Sequence, residues 1–224
     1  MTDLKTQNEP KLKAFMLVAV LIAYGSIAYE NVNEIAEFLD SPSFKALLSL
    51  GALIGLGGPM LVGLMTYVFT NSMESENKFR IAHFRWNNPL PGGRANQLIP
   101  ADPRMDVDNC SPEVAELLNE ELTQKARQAK WFNLYQKVKT DPSVNSVHKS
   151  YLLMRDAATG IFMFTVFTLL IDFVVWVVMD DTLSSPMGYL GLMLFLLFVA
   201  FRANGRGKRL VTTAAATFNA QHMR

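Results

Sequence analysis

The stretch AATGIFMFTVFTLLIDFVVWVVM, residues 157–179, decides the fold. It carries one acid, Asp172, and no base. A helix that crosses a bilayer needs about 20 mostly apolar residues. Soluble helices rarely sustain such a run. The stretch therefore reads as a membrane-spanning helix, and the rest of the chain is read outward from it.

Three further segments approach the same length: residues 12–29, 46–70 and 183–201. The first is short in its uncharged part, but Lys11 and Lys13 can snorkel to the interface. The second is uncharged as far as Met73, long enough to tilt or to continue as helix beyond the bilayer. No small-residue cleavage site follows the first apolar run, so it reads as a retained span rather than a signal peptide. The fold class expected is an all-α integral membrane protein. Four transmembrane helices form two hairpins, 1–73 and 157–202. A helical cytoplasmic insert, 74–156, separates them, and a basic tail, 203–224, follows.

Composition agrees with this class. Of 224 residues, 50% are hydrophobic and 18% charged, below the roughly 25% usual in soluble proteins. The net charge of +1 gives no general attraction to nucleic acid, and no specific nucleic acid is predicted. The single cysteine, Cys110, excludes an internal disulfide and a cysteine-based metal cluster.

Lysine and arginine placement sets the orientation. Of the 21 basic residues, only Lys45 falls in a loop between paired spans. Those loops carry acids instead: Glu30, Glu34, Glu37 and Asp40 in one, Asp180 and Asp181 in the other. Both termini and the insert are thus expected in the cytoplasm, with a bacterial inner membrane as the expected location.

The insert is too small for a large core of its own. It is expected to lean on helix extensions, a second copy, or a partner. Helix is expected to continue from the second span to about Phe84, where WNNPLPGGR breaks it. Residues before Pro89 and Pro91 avoid the α region, and Gly92 and Gly93 allow a tight turn. After an ordered loop, Ser111, Pro112 and Glu113 start a helix expected to run to about Lys139. Its apolar residues change face near residue 130. Val114, Leu118, Leu122, Ala129 and Phe132 lie on one side; Trp131, Leu134, Tyr135 and Val138 lie nearly opposite. The second set is read as a contact for a neighbouring subunit, a cytoplasmic partner or lipid headgroups. Helix from about Ser143 leads into the third span, and the tail after Arg209 has the makings of a short helix.

Three groups of residues are candidates for function. Asp172 is the only ionisable residue inside a span, and Tyr24 lies at a matching depth. The carbonyl of Gly55, freed by Pro59, is another acceptor at that depth. Asp172 reads either as a neutral lock between helices, as part of an ion or proton pathway, or as a contact between subunits. Gly51, Gly55, Gly57, Gly58 and Pro59 form a close-packing or hinge segment. His83, Arg85, Trp86 and Arg94 are expected to anchor the insert under the bilayer against anionic headgroups.

No phosphate loop, metal-ligand spacing or hydrolase motif is present, so no cofactor, metal site or catalytic residue is expected. The leading expectation is a non-enzymatic, homo-oligomeric membrane sensor, scaffold or regulator that presents a cytoplasmic platform to a partner. The alternative is an ion channel or pore-forming effector with Asp172 near its pathway. By analogy of architecture alone, bacterial stress and phage-defence membrane components belong to the same range.

Overall fold

The computed structural model describes residues 4–30, 66, 68–87, 89–179 and 185–223. Among these the chain is all-helical. Seven α-helices carry labels below: α1 Leu4–Glu30, α2 Ser75–His83, α3 Ala95–Leu98, α4 Pro112–Leu118, α5 Gln124–Val138, α6 Pro142–Met179 and α7 Pro186–His222. A 3₁₀ turn at Pro91–Arg94 precedes α3. Two of these helices, α6 and α7, contain stretches long and apolar enough to cross a membrane. The second expected span lies largely outside the described residues.

The chain divides into two compact units. The first contains Met1–Asn8, Glu74–Arg155 and Val199–Arg224. The expected insert is therefore not a unit by itself. Its core joins Ile99, Val114, Leu117, Trp131, Leu134, Val138, Val144 and Tyr151 to Leu210, Val211, Ala214, Ala215 and Phe218 of the tail. Helix extension is how this small core is completed, and the tail is the last part of one 37-residue helix rather than a separate short one. Polar ties add to the packing. The Ser111 backbone N–H donates to Asn219 Oδ1 at 2.7 Å. Arg104 grips Asp102 with two hydrogen bonds, of 2.9 and 2.7 Å, and also reaches the hydroxyls of Thr212 and Thr213. The amide of Asn8 donates to the Lys149 carbonyl at 2.8 Å.

Two expected helices differ from the structure. The one expected over residues 112–139 is two helices, α4 and α5, separated by residues 119–123. Asn119 makes a turn there by accepting from the Glu121 N–H at 2.9 Å. Thr123 then caps α5 by accepting from the Ala126 N–H at 3.2 Å. Pro112 does open α4, but the Ser111 hydroxyl makes no cap bond. Upstream, the helix expected to run through to Phe84 is interrupted at Met73 and Glu74 before α2 begins.

The second unit contains Glu9–Met73 and Asp156–Phe198. Here α1 packs on α7 at close range. A methyl group on Gly188 would stand 2.6 Å from the Ala23 carbonyl oxygen, so only glycine permits the approach. Phe15 stacks on Phe195, and Phe69 meets Phe167. Two threonines of α6 bond to their own helix: Thr165 and Thr168 donate to the carbonyls of Ile161 and Phe164. Leu170, Phe173 and Val177 on α6, and Leu190, Leu194 and Phe198 on α7, are all at least half exposed. Apolar faces of this extent require a covering medium.

Candidate functional site

The sequence places Gln128, Trp131 and Tyr135 at i, i+3 and i+7 on α5, hence on one face. In the first unit that face forms one wall of a cavity of about 300 Å³. Phe79 of α2, Leu90 and Pro91, His148, Tyr151, Leu152 and Arg155 of α6, and Leu210 of α7 complete the lining with Phe132. The walls are mainly rings. Trp131 stacks on Tyr135 at 5.6 Å between centroids, and Tyr151 on Phe79 at 6.2 Å. Arg155 lies over the Phe79 ring at 5.0 Å, a cation–π contact.

The glycines of PLPGGR build this wall. A Cβ on Gly92 would stand 2.6 Å from the Trp131 ring and from Gln128 Oε1; one on Gly93 would stand 3.0 Å from the Gln124 carbonyl oxygen. The 3₁₀ turn can therefore lie flat on α5 only without side chains at these positions. Arg127, 3% exposed, fixes the arrangement. Its guanidinium donates to the carbonyls of Leu117 at 3.1 Å, Gly93 at 3.3 Å and Asn119 at 2.7 Å.

Polar groups of the lining are few and specific. Tyr135 Oη and His148 Nδ1 are 2.7 Å apart. Burial raises the Tyr135 pKa. Burial, and then the charge of Arg155, lowers that of His148. The pair is therefore neutral at physiological pH. By contrast, two buried atoms have no hydrogen-bond partner among the described residues: Gln128 Oε1, an acceptor, and Trp131 Nε1, a donor. Each such atom left dry costs about 1–3 kcal/mol. An apolar-walled cavity lined by a few polar side chains has the usual form of a small-molecule site.

The structure rearranges the residues singled out in the sequence. Trp131, Leu134, Tyr135 and Val138 do not face a partner; all are buried in the core of their own unit. The break between α4 and α5 shifts the helical phase, so Val114 of the other face joins them in this core and Leu118 packs against it, whereas Ala129 and Phe132 are exposed. His83 and Arg94 are not surface groups: they are 7% and 9% exposed. His83 Nε2 lies 2.9 Å from Tyr151 Oη. Arg85 and Trp86 are at the surface, Trp86 79% exposed.

Asp172 is buried and accepts a hydrogen bond from Tyr189 Oη at 2.5 Å. Its suggested pairing with Tyr24 falls outside the description of side chains, although Tyr24 belongs to α1. Gly51, Gly55, Gly57, Gly58 and Pro59 lie outside the described residues. Arg127, Gln128, Tyr151 and Tyr189 were not legible as site or lock residues. Only Gln128 left a local signal, its spacing from Trp131 and Tyr135. Among the described residues, no group of three or more His, Cys, Asp or Glu is placed to hold a metal ion.

No protein-family model, curated protein or solved structure matches this chain.

Proposed function

We propose that the protein is a non-enzymatic membrane sensor. Four spans anchor it, both termini are cytoplasmic, and the first unit is a cytoplasmic module that binds a small planar molecule in the aromatic cavity. One observation carries this reading: Trp131 and Gln128, which line a cavity walled mainly by rings, hold a buried donor, Nε1, and a buried acceptor, Oε1, without partners among the described residues. A planar heterocycle with neighbouring acceptor and donor atoms would stack on the walls and satisfy both. Among the described residues no carboxylate lines the cavity, and its Tyr135–His148 pair is engaged internally, which favours binding over reaction. Presentation of the module to a second copy or to a cytoplasmic partner belongs to the same proposal, in a bacterial inner membrane.

The test is a thermal-shift series on the full-length protein in detergent with adenine, nicotinamide and indole. Stabilisation by one of them that is lost in Trp131→Phe and in Gln128→Leu would support the reading. No stabilisation by any planar probe, or stabilisation that survives both substitutions, would remove its basis.

The pore reading keeps a separate test. The Tyr189 hydrogen bond favours a helix-locking role for Asp172. Ion flux through liposomes that changes in Asp172→Asn would instead place this residue on a pathway.

A further inference from the structure

Beside the aromatic cavity the first unit buries an uncompensated cation. Arg94 is 9% exposed, and its Nε and Nη2 have no partner among the described residues. These two nitrogens form one edge of the guanidinium, where the N–H bonds run nearly parallel. That edge is the geometry that takes two oxygens of one oxyanion. His83, also buried, acts on Arg94's surroundings as a neighbour; its own ring is held by Tyr151 and Asn204. Arg85 acts on both residues and Arg155 on His83, each as a cation; only the Tyr151 phenol acts favourably on Arg94. A buried cation among like charges is costly unless an anion joins it. Arg85 is solvent-exposed, so the cluster opens to solvent on that side.

We propose that Arg94 and Arg85, beside His83, form a phosphate-binding site, in which the Nε–Nη2 edge of Arg94 takes two phosphate oxygens and Arg85 supplies charge from the solvent side. Phosphate suits the cluster better than carboxylate, because several guanidinium groups match a dianion. The phosphate is either free, as inorganic phosphate or a soluble monoester, or the headgroup of an anionic lipid. The site differs from a phosphate loop, since side-chain donors rather than a cradle of backbone amides hold the anion.

The experiment uses the full-length protein in a neutral detergent. Inorganic phosphate is titrated at constant ionic strength with acetate as control, and melting temperature and calorimetric binding are read. A parallel arm compares nanodiscs of phosphatidylcholine alone with nanodiscs that also contain phosphatidic acid. Stabilisation by inorganic phosphate in detergent assigns a soluble source; stabilisation only by phosphatidic acid assigns a lipid source. Either result supports the site, provided that Arg94→Gln weakens the response at least about tenfold in apparent affinity. Arg94→Lys, which keeps the charge and loses the edge, is expected to weaken it nearly as much, and Arg85→Gln less. In phosphate-free buffer Arg94→Gln should melt no lower than wild type, because it removes unpaired buried donors.

Four results would overturn the proposal: no response in either arm, an undiminished response in Arg94→Gln, an equal response to acetate, or a lower phosphate-free melting temperature for Arg94→Gln. None of them bears on the aromatic cavity, which the Trp131 and Gln128 substitutions test.

Discussion

His83 shows what one residue's surroundings do to its chemistry. Burial, then the charges of Arg94 and Arg85, bring its pKa down from 6.5 to about 4; Arg155 acts in the same direction and Asn204 opposes. The folded protein therefore holds a neutral imidazole where the unfolded chain binds a proton. Between pH 6.5 and about 4 the unfolded state carries the extra proton, so stability falls as pH falls and levels off below that window. The contribution amounts to at most about 3 kcal/mol. Melting temperatures measured across this window should decline in the wild type, and His83→Gln should flatten the decline. An unchanged slope would show that other groups cause it.

The next residue, Phe84, closes α2 with φ at 48°, a left-handed conformation. For a bulky side chain this costs about 1–2 kcal/mol, and glycine avoids it. Phe84 is half exposed and contributes little to the core. Phe84→Gly should raise the melting temperature of the purified protein, and a decrease would mean that the ring has a packing role.

At the scale of elements, the question is why α4 and α5 are two helices. The linking segment Asn119–Thr123 contains neither glycine nor proline, so helical periodicity ran through it unbroken. Asn119 and Thr123 are turn and cap formers, which was a legible local signal. The decisive part was not local. Arg127 takes the carbonyls of Leu117 and Asn119 at the end of α4 and that of Gly93 in the 3₁₀ turn. A tertiary contact of this kind leaves no pattern in the sequence. The same is true of His83 and Arg94, whose types suggest the surface although packing places them inside. The turn at PLPGGR was legible, but not the α5 face on which it lies. Arg127→Met would leave three carbonyls without their donor and should cost about 2–4 kcal/mol. Denaturant unfolding of the purified protein would measure this loss. Planar-ligand binding should weaken in parallel, because the wall formed by Pro91 and Trp131 depends on the same anchor.

At the scale of the whole molecule, the apolar stretches of α6 and α7 were plain from composition alone, because a spanning run needs no partner to be recognised. The limits of the first unit were not plain, because its core is assembled from segments far apart in the chain. The expected insert ends at residue 156, yet Leu210, Val211, Ala214, Ala215 and Phe218 belong to the core that it forms. Charge made this tail look like a basic appendage. Helical spacing of its apolar residues shows instead a face that must be covered, and the core of the first unit covers it. Phe218 is fully buried, stacks on His222 and carries Lys137 over its ring at 5.2 Å. Phe218→Ala should therefore destabilise the first unit by about 3–5 kcal/mol. Limited proteolysis of the full-length protein would register this as new cleavage within residues 74–155, while the helices of the second unit stay protected. If cleavage were confined to the last turns of α7, the tail would be a peripheral addition and the core of the first unit would have to be sufficient without it.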